Sequence, residues 1–170
     1  MADIRFGTDR EILGTALDWL HQGRRTALVT VIRTWGSSPR PAGSLMVMRD
    51  DGRFEGSVSG GCIEDDLVRR FTRNELTITP HCILDYGVAA GDAARFGLPC
   101  GGRLELLIES LDSEAALQAL LQRVDAGQLV RRSVCLRTGE VSLHGTVPDA
   151  DFRSDADRVD QVFGPAWHLL

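Results

Sequence analysis

Residues 26–35 read TALVTVIRTW, and this run decides the class of fold. It is nearly continuous in β-branched and other apolar side chains, which predicts a strand covered on both faces. Before it, residues 9–22 set Ile12, Leu13, Ala16, Leu17 and Leu20 at helical spacing, ended by Gly23. After it comes GSSPRPAG (36–43), a loop dense in Gly, Ser and Pro. The next stretch, SLMVMRDDGRFEGSVS (44–59), predicts two strands joined at Asp51-Gly52, a strong hairpin signal. Residues 63–71 predict a helix whose first turn holds Glu64, Asp65 and Asp66 and whose last holds Arg69 and Arg70, matching the helix dipole at both ends. HCILDY (81–86) and RLELLIES (103–110) read as strands, Ser113 opens a helix running to Val124, and residues 129–147 read as a hairpin around Thr138-Gly139. Strands outnumber helices and come partly as hairpins. The expected architecture is therefore α/β or α+β, a mixed sheet with helices packed on it.

Bulk properties narrow the function classes. A chain of 170 residues with 43% hydrophobic and 25% charged residues is long enough for one full core. No stretch approaches the roughly 20 apolar residues of a membrane span. The N-terminal MADIRFGTDREI lacks the layout of a signal peptide, so the chain reads as cytoplasmic. A net charge of −5 argues against nucleic acid as a partner. All 19 basic residues are Arg, a side chain suited to bidentate phosphate contacts. The four cysteines, at 62, 82, 100 and 135, form no CxxC pair, which argues against a structural zinc site, and a reducing cytoplasm argues against disulfides.

Three Gly-rich elements carry the chemistry. In SVSGGCIEDDLVRR (57–70), Gly60 and Gly61 precede Cys62 at the mouth of the predicted helix. Unpaired amides and the positive end of the dipole stabilise an anion there, and can lower a thiol pKa from about 8.5. The acidic residues at 64–66 oppose that effect, and a small buried cysteine in a tight turn is the plain alternative. In LPCGG (98–102), Cys100 precedes Gly101 and Gly102, where successive amides can build an anion-binding nest or simply a bulge before the strand. This second element ends GVAAGDAARFGLPCGG (87–102), a connection too long for mere linkage. In WGSSPRPAG (35–43), Ser37, Ser38 and Arg40 offer two hydroxyls and a cationic fork for phosphate, on a loop stiffened by two prolines; a rigid surface turn is the alternative. No Walker A or GxGxxG sequence occurs. Any of His21, His81, His144 and His168 could pair with Cys62 as a Cys–His nucleophile, yet no spacing singles one out and no ordered triad motif is present. Asp85 and Asp92 flank the long connection as ligands or caps.

Residues 36–70 together with FGLPCGGRLELLIE (96–109) resemble the signature of the XdhC/CoxI family, accessory factors for molybdenum hydroxylases such as xanthine dehydrogenase and carbon monoxide dehydrogenase. The resemblance implies a non-enzymatic chaperone that binds the molybdenum cofactor, as molybdopterin or its cytosine dinucleotide. It would hold the cofactor during sulfuration and deliver it to the apo molybdoenzyme, with a cysteine desulfurase as a further partner. It implies a cofactor site of Ser37, Ser38, Arg40, Gly60, Gly61, Cys62, Cys100, Gly101 and Gly102, with Cys62 contacting the metal. Two alternatives stay open: a persulfide relay through Cys62, and a docking module without cofactor. Residues 1–150 would form the family domain. Residues 151–170, which include most of the polar PDADFRSDADRVD stretch (148–160) and end in WHLL, would be linker and the start of a Rossmann-like second domain. A hairpin-rich edge could support a homodimer.

Overall fold

The computed structural model describes residues 4–36, 40–87, 102–147 and 152–165, with the side chains of 4–7 and 62 outside that description. In chain order the elements are α1 (Ile4–His21), β1 (Thr26–Trp35), β2 (Leu45–Arg49), β3 (Phe54–Gly56), α2 (Cys62–Thr72), β4 (His81–Tyr86), β5 (Arg103–Ser110), α3 (Glu114–Asp125), β6 (Val130–Cys135), β7 (Val141–Gly145), β8 (Phe152–Ser154) and β9 (Arg158–Phe163). The strands form two sheets, ordered β3-β2-β1-β5-β4 and β7-β6-β9-β8. Every pair within them is antiparallel. The fold is therefore α+β, and the strands expected in one mixed sheet divide between two. None of the described helices is long and apolar enough to cross a membrane.

β1 is the middle strand of the larger sheet, and its alternation explains why both faces needed apolar side chains. Ala27, Val29 and Val31 join Met46, Met48, Leu104, Leu106 and Ile108 in a core closed by Ile63, Leu67 and Phe71 of α2. Leu28 points the other way, into a second core with Ile12, Leu13 and Ala16 of α1 and Leu117, Leu120 and Leu121 of α3. Ile32 meets Leu107, Val134 and Val159, which join the two sheets. Two-sided burial, common in parallel sheets, arises here because α2 covers one face while α1, α3 and the smaller sheet cover the other.

The pairing of β1 with β5 shifts register between Val31 and Arg33. The carbonyl of Ile32, at that bulge, accepts a hydrogen bond from Ser154 Oγ at 3.0 Å. Gln161, 5% exposed, donates from Nε2 to the Gly43 carbonyl at 2.8 Å. Arg132 of β6 forms a bidentate pair with Glu109 of β5 at 2.8 and 3.1 Å, buried between the sheets. Residues 152–154 and 158–163, expected to be linker, are thus strands that brace β1 and the loop after it. Their polarity reflects an edge strand and an outer face rather than absence of structure.

Candidate functional site

Antiparallel register sets the position of each Gly-rich element. Trp35, the last residue of β1, faces Arg103, the first of β5. Leu45, which opens β2, faces Thr30 of β1, and Gly56, which closes β3, faces Met46. Tyr86 closes β4 opposite Leu104. Hence the loops 36–44, 57–61 and 87–102 all leave or enter at the same end of the larger sheet. Sequence spacing alone does not show this, because Gly60 lies 24 positions after Gly36, and Gly102 lies 42 positions after Gly60. Of the expected site residues, Arg40, Gly60, Gly61, Gly102 and the backbone of Cys62 are described at this end; Ser37, Ser38, Cys100, Gly101 and Asp92 lie outside the described residues.

At the mouth of α2 the anion-binding amides are already used. Glu64, 2% exposed, folds its carboxylate back beneath the preceding loop. It accepts hydrogen bonds from Ser57 Oγ, Val58 N and Ser59 N at 2.8 Å, Ser59 Oγ at 2.5 Å and Gly61 N at 2.9 Å. Gly60 N donates to Ser57 Oγ at 3.0 Å and Ile63 N to Ser59 Oγ at 3.3 Å. Burial alone would push the Glu64 carboxyl upward, but the hydrogen bonds from Ser59, Ser57 and the loop amides overcome it and hold the pKa at about 2. Glu64 is thus the residue of this loop whose role sequence reasoning missed. Its signal was the three-residue offset from the N-cap, Gly61, the spacing of a capping box.

The two glycines are required by the backbone. Gly60 has φ +84° and Gly61 φ +149°, conformations that side chains strongly disfavour. A Cβ on Gly61 would meet nothing within 4 Å, so space is open beside residue 61. Cys62 follows as the first residue of α2.

Other contacts fasten the loops to one another. A Cβ on Gly36 would lie 3.4 Å from the Gly102 Cα, so the first and third loops touch through bare backbone. Beside them the Arg103 guanidinium lies 4.3 Å from the centre of the Trp35 ring and donates to Asp85 at 2.7 and 2.9 Å. Asp85, read as a ligand or cap, is therefore an ion-pair partner. Tyr86 donates to Asp66 Oδ2 at 2.8 Å, tying β4 to the first turn of α2, and burial followed by Asp66 pushes its phenol pKa upward.

The remaining candidates lie elsewhere. His81 opens β4 at the opposite end of the sheet, His21 closes α1 and pairs with Glu114 at 3.0 Å, and His144 on β7 contacts Ser142. No described histidine is thus placed beside Cys62 by its strand or helix contacts; His168 lies outside the described residues. Cys82 is half-buried in β4, its thiol pKa pushed up by burial. Cys135 sits in the smaller sheet, where the Thr138 hydroxyl and the amides of Thr138 and Arg137 lower its pKa. Among the described residues no cluster of three or more His, Cys, Asp or Glu side chains could hold a metal ion.

Comparison with known proteins adds kinship to this geometry. An Escherichia coli (strain K12) protein described as molybdenum cofactor insertion chaperone PaoD is 35% identical over 119 residues, covering 68% of this chain and 36% of the relative. A Bacillus subtilis (strain 168) protein described as a probable subunit of xanthine dehydrogenase is 31% identical over 105 residues, covering 59% of this chain and 31% of the relative. The chain therefore spans about a third of the length of these curated relatives. A crystal structure from Bacillus halodurans, titled a xanthine dehydrogenase, superposes with a TM-score of 0.69 at 22% identity, over 93% of this chain and 53% of that one; the likeness is one of fold. Residues 19–86, which carry the first loop, the Glu64-filled loop and Cys62, match the model of the XdhC and CoxI family, and the chain belongs to that family.

Proposed function

We propose that this chain binds the molybdenum cofactor and passes it to a molybdenum hydroxylase of the xanthine dehydrogenase type, as a maturation factor rather than an enzyme. The observation that carries the reading is the convergence of the three Gly-rich loops at one end of the larger sheet. The name of the Escherichia coli relative, a cofactor insertion chaperone, supports it.

The residues fit such a cargo unevenly. Cys62 supplies a soft thiol at the start of α2, suited to molybdenum, and the open space beside Gly61 lets a ligand reach the backbone. The amides of residues 58–61 do not serve a phosphate, because Glu64 and Ser57 occupy them. Phosphate recognition falls instead to Arg40 and the hydroxyls of Ser37 and Ser38. The cofactor, when bound, supplies the metal and dithiolene chemistry; the protein orients it, shields it and releases it. Cys100, Gly101 and Gly102 would close the pocket from the third loop, and a cysteine desulfurase would supply the terminal sulfur.

The test is to express the chain in cells that overproduce molybdopterin, purify it without oxygen, and quantify the fluorescent pterin derivative after acid and iodine oxidation. Near-stoichiometric pterin in wild type, falling at least tenfold in Cys62→Ser, is expected. Absence of pterin in wild type would overturn the cargo reading and leave a docking module.

A further inference from the structure

The cavity between the sheets, the Cys135 turn and the free edge of β4 each lack anything that specifies a ligand. The Trp35–Arg103 pair does specify one. Trp35 ends β1 immediately before the first loop, and Arg103 opens β5 immediately after the third. Most of β1 is buried, yet the Trp35 indole is 39% exposed. One side of the ring is backed by the Arg103 guanidinium at 4.3 Å, and two hydrogen bonds to Asp85 hold that guanidinium in place. Gly36 and Gly102, which adjoin the pair, lie backbone to backbone beside it.

Charge decides the class of ligand. On this face Arg103 is neutralised by Asp85 and Arg33 by Glu105, at 2.7 and 3.8 Å. The two arginines that flank the indole are thus engaged by carboxylates rather than offered to a phosphate. A fixed, polarised ring beside bare backbone suits a flat, neutral heteroaromatic ring with hydrogen-bonding edges.

We propose that Trp35, backed by Arg103, is a stacking platform for such a ring: the pterin of the cargo, or the cytosine of its dinucleotide form. This inference rests on the cargo reading above but can be tested apart from it. Oxidised pterin and, separately, cytidine monophosphate are titrated into the purified chain, pterin by its own fluorescence anisotropy and the nucleotide by calorimetry. In Trp35→Ala the Kd of the ring that stacks is expected to rise about 5- to 100-fold, and in Trp35→Phe to stay within about threefold of wild type. Retained binding by the Phe variant excludes misfolding as the cause. The probe whose Kd responds to Trp35→Ala identifies the ring. The inference is overturned if wild type binds neither probe, if Trp35→Ala binds both as wild type does, or if inorganic phosphate displaces the pterin. Trp35-dependent binding of free pterin by a chain that purifies without molybdopterin would sink the cargo reading and leave the platform standing. Equal molybdopterin content in Trp35→Ala and wild type would sink the platform alone.

Discussion

Glu64 gives the glycine loop its shape by placing a negative charge where the loop amides converge. In Glu64→Gln the amide NH₂ would face N–H donors, leaving buried groups unpaired. We expect a loss of about 1–3 kcal/mol in urea unfolding. The pH dependence has a definite sign. The folded carboxyl titrates at about 2, below its ordinary 4.5, so its stabilisation is complete above 4.5 and is lost as pH falls toward 2. The stability difference between wild type and Glu64→Gln should shrink across that window; a constant difference from pH 6 to pH 2 would show that the charge is immaterial. Gly61→Ala should cost about 1–3 kcal/mol through backbone strain alone, since a Cβ there meets no neighbour, and its urea m-value should be unchanged. Sequence reasoning singled out the glycines and Cys62 because their pattern is local. It read Glu64 as one of three like charges along a helix turn, because the inward fold of that side chain depends on a loop shape that only the backbone shows.

Among the elements, β1 was the most legible, since its apolar run states two-sided burial directly and its register then follows from its neighbours. Leu28→Ala, which empties a site between β1 and both α1 and α3, should cost about 2–5 kcal/mol by thermal or chemical unfolding. The strands β8 and β9 were not legible. Arg153, Asp157, Arg158 and Asp160 give the stretch a linker's composition, while the residues that matter, Ser154 and Gln161, act through single hydrogen bonds to distant carbonyls. Gln161→Ala should leave the Gly43 carbonyl unpaired. The expected result is faster hydrogen exchange at the Gly43 and Ser44 amides, both bound into this turn, with β4 and β5 unaffected. Uniform acceleration across the larger sheet would show that the contact supports the whole fold instead.

Over the whole molecule, the Arg132–Glu109 pair is a charged link between the two sheets. Removing either partner strands a buried charge, so Arg132→Met should cost about 3–5 kcal/mol, whereas Arg132→Met combined with Glu109→Leu should recover most of that loss. Unfolding curves of the four proteins give the coupling directly; additive losses would mean the sheets do not rely on the pair. The placement of the turns has a practical consequence. The Asp51-Gly52 hairpin lies at the end of the sheet where β1 begins, and the ten residues of β1, or about 30 Å, separate that end from Trp35, Gly36 and Gly102. The protein therefore has a natural handle: a dye, a surface tether or a fused reporter placed at that hairpin would leave the Trp35–Arg103 end of the sheet untouched while reporting on it from a distance.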